Sequence, residues 1–324
     1  MKKNLLHLIL LLSSIYCFGQ TTYYGSSANV YIAGSYMDGT EQKACYWKNG
    51  ELIPLNGVIG STAAITVEDG IVYTAGVVSF IDRFKINRKC VLCWANGQAY
   101  GTTESYSDTG VAISDMSVCN GKTYILGVIH RYDRWDKVMW VDGVEQSSDW
   151  TSLSAYDGIM YFMNSTGFSA YDQYIRVDGV AYGMTIAYGI VYIAGATGAK
   201  SENPCYWIDG ERKDIPKYNN RDTYLSDIAV LSNGRVHAIG GQRTNRNSIP
   251  VYWGGDRYLS IPNAASFTKI YVYDDKIYLL GRCKRGAISI PCYWVMTEVN
   301  GSLNVENMVS LLGAKSASDI VVTK

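Results

Sequence analysis

The sequence predicts an all-β protein: a seven-bladed β-propeller of four-stranded antiparallel blades, closed where the C-terminal strand joins the first blade. Three observations carry this reading. An apolar strand ending in glycine recurs along the chain, and each copy is followed by a second strand ending in a turn. The last apolar run of the chain then supplies the strand that the first copy lacks.

The glycine-ended strand reads VYIAG at 30–34, VYTAG at 72–76, TYILG at 123–127, VYIAG at 191–195, VHAIG at 236–240 and IYLLG at 277–281. A degenerate copy, MYFMN, stands at 160–164. The second strand reads CYWKNG (45–50), CVLCWANG (90–97), VMWVDG (138–143), YIRVDG (174–179), CYWIDG (205–210), VYWGG (251–255) and CYWV (292–295). Before most copies lies a further apolar run with its own turn, as in AITVEDG (64–70), MSVCNG (116–121), LSAYDG (153–158) and IAVLSNG (228–234). With a weaker stretch after each tryptophan, such as 51–55, the unit becomes four short strands in about 40 residues, the signature of a propeller blade. Asn-Gly and Asp-Gly supply the positive φ that two-residue hairpins require. Closure follows from SDIVV at 318–322, which matches SDMSV (114–118) and SDIAV (226–230) and completes the first blade.

Composition agrees with strands and tight turns, since the chain holds 27 tyrosines, 8 tryptophans and 32 glycines. Residues 1–20 read as a secretory signal, with Lys2 and Lys3 before the apolar run Leu5 to Leu12 and a small, polar exit. The organisation is therefore a signal peptide at 1–20 and one propeller domain at 21–324. The expected location is exported: periplasmic, cell-surface or secreted. Cys17 offers a lipoprotein alternative, disfavoured because Tyr16 fills a position that bacterial lipidation keeps small. No later run approaches the length of an integral membrane segment. Losing Lys2 and Lys3 takes the formal charge from zero to −2, which gives no drive towards nucleic acid.

Seven cysteines follow the signal. Cys45, Cys205 and Cys292 fill one slot in three blades, cannot pair, and read as small buried hydrophobes. Cys90 and Cys93 lie three apart on a strand and so point to opposite faces, against a zinc or redox role. Cys119 and Cys283 are unassigned. No catalytic triad spacing, H-E-x-x-H, phosphate loop or dinucleotide fingerprint is present. His237 takes the tyrosine slot of a core strand.

Tight turns occupy one face of such a propeller and long variable loops the other, so a site is expected on the loop face around the channel mouth. Those loops carry Arg83, Arg131, Arg243, Arg246, Arg282 and Arg285, with Phe84, Tyr132, Trp135, Trp150, Tyr218 and Tyr224 on the same face. A cationic, aromatic rim suits a glycan or protein partner. Asp115, Asp227 and Asp319 each follow a serine at the start of a strand, at the channel mouth. Convergent carboxylates there could take Ca²⁺, although caps on free backbone groups are the preferred reading, and no cofactor or metal is expected.

The strand pair 72–76 and 90–94, with its siblings, resembles the kelch-like branch of propellers, to which the galactose-oxidase central domain belongs. The kelch glycine doublet occurs only at Gly240–Gly241, and Tyr46–Trp47 are adjacent where kelch separates them. That resemblance implies the fold and not an activity, since its members include oxidases, mutarotases and binding modules. The leading functional expectation is a non-enzymatic recognition module. The alternatives are a carbohydrate-active enzyme using channel-mouth carboxylates and a structural scaffold.

Overall fold

In the computed structural model, which describes residues 28–107, 110–244 and 248–324, antiparallel strands follow one another with a single 3₁₀ turn at Tyr218–Asn220. The signal reading at 1–20 and Arg246 lie outside the described residues. First come β1 (Asn29–Asp38), β2 (Glu41–Lys48), β3 (Glu51–Glu68), β4 (Ile71–Ile81), β5 (Asn87–Ala95) and β6 (Gln98–Ser107). Five four-stranded sheets follow. They comprise β7 (Val111–Cys119), β8 (Lys122–Arg131), β9 (Arg134–Val141) and β10 (Val144–Ser147); then β11 (Ser152–Tyr156), β12 (Ile159–Asn164), β13 (Gly167–Ala170) and β14 (Gln173–Arg176). Next are β15 (Val180–Ala187), β16 (Ile190–Thr197), β17 (Asn203–Ile208) and β18 (Glu211–Asp214), then β19 (Thr223–Val230), β20 (Val236–Arg243), β21 (Ser248–Gly254) and β22 (Arg257–Leu259). The last is β23 (Ala264–Tyr273), β24 (Lys276–Arg285), β25 (Ile288–Val299) and β26 (Ser302–Ser310).

The final strand, β27 (Ala314–Thr323), pairs with β1 in the register Val30↔Val322 and Ile32↔Ile320, as the closure argument expects. One expectation is corrected. The first two repeats are not separate sheets, because β3 pairs β2 through Lys43↔Ile59 and then β4 from Gly60↔Val78 onward. The result is one seven-stranded sheet in the order β27-β1-β2-β3-β4-β5-β6. First strands touch in a circuit that runs β27, β3, β7, β11, β15, β19, β23 and back to β27. This is a propeller-type arrangement of antiparallel sheets around a channel lined by those strands. Among the described residues no helix is long and apolar enough to cross a membrane.

The recurring glycine has a steric cause. Each first strand except β11 carries an extra residue beside the glycine of its neighbour: Ser318, Ala63, Ser114, Tyr182, Ser226 and Thr268 are skipped in the pairing, and β27 and β23 skip a second, Lys315 and Ala265. Such a bulge bends the strand and pushes a carbonyl towards its partner. A Cβ at Gly34, Gly76, Gly127, Gly195, Gly240 or Gly281 would collide with the carbonyl of Ser316, Ser61, Ala112, Val180, Tyr224 or Ser266 in turn. In the degenerate copy β11 and β12 pair without a shift, and Asn164 stands where the others have glycine. Bulge and glycine are lost together.

That same copy corrects a second assignment. The run 174–179 is not its third strand; β13 is, and 173–176 forms the outer strand β14. In register Ser169, opposite Phe162, takes the slot that tryptophan fills in the other sheets, and buried Phe168 takes the slot before it. Trp47, Trp94, Trp140, Trp207 and Trp294 are all at most 1 % exposed and fill the space between neighbouring sheets. Turn residues add a second role beyond their φ. The side-chain oxygens of Asn49, Asn96, Asp142 and Asp209 accept from the N–H of Val30, Val72, Thr123 and Val191 at 2.8–3.0 Å, tying each turn to the start of the glycine-ended strand.

Cys90 and Cys93 fall in different core clusters, on opposite faces of β5. All seven described cysteines are buried free thiols.

Overpacking in a closed core costs about 1–3 kcal/mol, so Gly127→Ala and Gly195→Ala should lower the unfolding free energy from urea titration by that amount. Gly101→Ala, where an added Cβ meets nothing within 4 Å, should move it by less than about 0.5 kcal/mol.

Candidate active site at the channel

The bulge also sets what faces the channel. The residue after each skipped position is Asp319, Ala64, Asp115, Gly183, Asp227 or Lys269, and Ser152 takes the same slot on unbulged β11. Four ionisable groups therefore stand at one level of the channel. Gly183 fits there because a side chain would strike the backbone of Ser226 and Asp227.

Each aspartate joins its own strand to the next first strand. The N–H of Leu153 donates to Asp115 Oδ2 at 3.0 Å, with Ser152 Oγ–H on the same oxygen at 2.7 Å. The N–H of Ile270 donates to Asp227 Oδ2 and that of Ile65 to Asp319 Oδ2, both at 3.0 Å. The other oxygens of Asp115 and Asp319 accept from the following residue, Met116 and Ile320, at 2.9 Å. Hydrogen bonds to a charged partner contribute about 1.5–3 kcal/mol each, so these residues staple three of the seven contacts in the circuit.

These side chains line a cavity of about 440 Å³ that runs from the Asp/Lys level past Thr66, Ser117 and Ser154 to the turn residues Glu68, Asn120, Tyr156 and Asp157. It therefore reaches the tight-turn end of the channel. The three aspartates are at most 8 % exposed. Burial pushes the Asp227 carboxyl upward, opposed by Lys269. Burial also lifts the Asp319 carboxyl to about 6, with Lys269 pulling it down and Asp115 pushing it up. For Lys269, burial alone would favour the neutral amine, but the fields of Asp115, Asp227 and Asp319 outweigh it and keep the ammonium charged. Among the described residues no direct ion pair joins Lys269 to them; the coupling acts across the cavity.

The three Ser-Asp positions of the sequence do come together. The basic and aromatic loop residues do not line this cavity. Arg131 bonds Glu145 through both terminal nitrogens at 2.6 Å, and Arg282 reaches the Ser289 carbonyl at 2.5 Å. Arg243 bonds the Lys200 carbonyl at 2.5 Å and lies over Tyr224. Arg83 stacks on exposed Phe84, while Arg285 and Tyr132 are exposed. Trp135 packs edge-on against His130, Trp150 against Phe162 and Tyr174, and Tyr218 against Tyr258. His237 is fully buried, bonded to Tyr252 Oη at 2.7 Å and 2.9 Å from Glu298 Oε2. Among the described residues no group of three His, Cys, Asp or Glu side chains is placed to hold a metal ion.

Sequence reasoning missed Lys269. Its signal was register: T-K-I-Y-V at 268–272 occupies the slots of S-D-I-A-V at 226–230.

No protein-family model matches the sequence, and no curated protein matches it. Among solved structures the chain is similar to an acylaminoacyl peptidase of Pyrococcus horikoshii, at TM-score 0.42 and 15% identity over 83% of this chain. It spans about half of that protein (49%). It is also similar to the GH43 protein BlXynB of Bacillus licheniformis (TM-score 0.32, 9% identity, 86% of this chain and 82% of that one). A third is an α-L-arabinofuranosidase of Clostridium thermocellum (TM-score 0.30, 13% identity, 63% and 74%).

The expectation of a non-enzymatic recognition module is corrected here. The solved structures similar to it are titled mostly as enzymes, glycosyl hydrolases and a peptidase, and at these scores the likeness concerns the fold alone. Within the chain, Arg131, Arg243 and Arg282, on which that expectation rested, are engaged with neighbouring protein groups.

The titration has a definite sign. A carboxyl raised on folding from 3.8 to about 6 contributes stability that is fully present below pH 3.8 and lost as pH rises through 6, up to about 3 kcal/mol at about 1.4 kcal/mol per unit. Lys269→Met removes the compensating charge. Its deficit against wild type in thermal unfolding should be largest at pH 7–8 and should narrow below pH 4.

Proposed function

We propose that this chain is an exported, seven-bladed propeller enzyme of kelch-like repeat pattern that cleaves glycosidic bonds in its central cavity. The circuit of seven first strands supports the blade number, with β3 serving both as outer strand of one blade and inner strand of the next. The amino-terminal signal pattern supports export.

The observation that carries the activity is the convergence of Asp115, Asp227, Asp319 and Lys269, from four separate strands, on one cavity. Glycoside hydrolysis needs one carboxyl that gives a proton and one that stays ionised. Asp319, lifted to about 6, holds its proton in mildly acidic solution and serves as the acid towards the glycosidic oxygen. Asp115 serves as the carboxylate that activates water or attacks the anomeric carbon. Lys269 keeps the set from neutralising all its carboxyls at once. The C–O bond breaks, the leaving oxygen takes the proton from Asp319, and water supplies the hydroxyl and the proton that restores it.

A second reading, a scaffold with no small substrate, is favoured by one fact. The oxygens named as catalytic also accept backbone N–H bonds from the neighbouring strand, Ile65 to Asp319 and Leu153 to Asp115.

The mature protein should hydrolyse at least one member of a panel of aryl glycosides and neutral polysaccharides, with an activity limb near pH 6. Asp319→Asn should lower kcat by about 10²–10⁴ with KM little changed. No turnover by the folded protein on the whole panel would remove this reading. Full turnover by a folded Asp319→Asn protein would remove the acid assignment.

A further inference from the structure

The one sheet that departs from the repeat, β11–β14, carries a second cavity. This groove of about 280 Å³ is lined by Gly158, Met160, Phe162, Ser169, Tyr171 and Asp172, together with Ile159 and Ala170. It meets the central cavity at Gly158, which lines both, beside Tyr156 and Asp157. The two spaces therefore adjoin at the turn between β11 and β12. The sheet is short, its strands spanning four to six residues, and Ser169, which lines the groove, occupies the register slot that a bulky tryptophan fills in the other sheets.

Tyr171 lies on the groove. Its ring is 70 % exposed and makes no ring contact among the described residues. It also sits in a turn at φ 51°. Equivalent third-to-fourth-strand turns place Asn49, Asn96, Asp142 and Asp209 in that conformation, which suits short polar side chains and disfavours a tyrosine. A residue held against its backbone preference, with its ring in solvent at a cavity rim, is a feature to be explained by a ligand.

We infer that this groove is an extended saccharide subsite: a neutral oligosaccharide chain enters the central cavity and continues over β11–β14, with a sugar ring on Tyr171. The chemistry fits both halves of a sugar. Tyr171 and Tyr156 offer π-faces to the apolar C–H faces, while Asp157, Asp172 and Ser169 accept from hydroxyls. No basic side chain lines the groove, Asp172 does, and Asp157 stands beside it on the central cavity, so acidic glycans are disfavoured. The inference rests on the carbohydrate reading of the central cavity, but it concerns binding and not turnover.

The test is calorimetry on the Asp319→Asn protein, with and without Tyr171→Asn, using xylohexaose, cellohexaose, mannohexaose and arabinohexaose, and the corresponding monosaccharides. At least one hexaose should bind. Tyr171→Asn should weaken it tenfold or more, leave monosaccharide affinity within twofold, and hold or raise the thermal midpoint, because asparagine suits the turn. If no hexaose binds, or if Tyr171→Asn binds as its parent does, the subsite is overturned. Tyr171-dependent binding without turnover by the wild-type chain would keep the subsite and remove the hydrolase. Turnover of a hexaose unaffected by Tyr171→Asn would do the reverse.

Discussion

One steric arrangement organises this molecule: an extra residue in each first strand, accepted only because the neighbouring strand offers a glycine. Without the missing Cβ at positions such as Gly127 and Gly240, the bulged carbonyls of Ala112 and Tyr224 would have no room. The bulge then rotates the following residue into the channel. Asp115, Asp227 and Asp319 reach the next strand's N–H groups, and Lys269 reaches their common field, from this one local irregularity. Local steric fit, inter-sheet bonding and the charge of the cavity are thus consequences of the same residue pair.

The charges at that level are balanced against burial. Burial favours the neutral forms of Asp227, Asp319 and Lys269. The opposite charges work against it, keeping Lys269 an ammonium and holding Asp319 to about 6. A group that changes protonation in mildly acidic solution, inside a cavity, is a common feature of sites that move protons. The same residues carry backbone bonds, so the charges of the cavity and the joints between its strands share atoms in this channel.

Much of the fold is legible in the sequence because the repeat is written in steric terms. Glycine-ended strands such as 30–34 and turn pairs such as Asn49–Gly50 report backbone geometry directly, and SDIVV at 318–322 announced the closing strand. The fourth copy was misread because its third strand is four residues long and lacks tryptophan, leaving 174–179 as the only run that resembled one. The merger of two repeats through β3 was hidden because the strand contains Asn56–Gly57, a pair that reads in sequence as a turn. Ser-Asp positions were legible as channel residues. The direction of the cavity was not, because it depends on how turns from separate sheets leave space around the axis. Loop arginines misled for a simple reason: a sequence shows charge but not the Glu145 or the Ser289 carbonyl that satisfies it.

The pairing of β1 with β27 also has a consequence in time. Val30 and Val322 are neighbours in space and almost the whole chain apart in sequence. During synthesis the first sheet stays one strand short until the last segment emerges, so the inner edge of β1 exposes its unpaired backbone groups for that entire interval. Ring closure is the step with the greatest loop-entropy cost and therefore a slow one. A chain that cannot close early stays open for as long as it is being made, a state suited to threading through a narrow pore and vulnerable to joining another copy edge to edge.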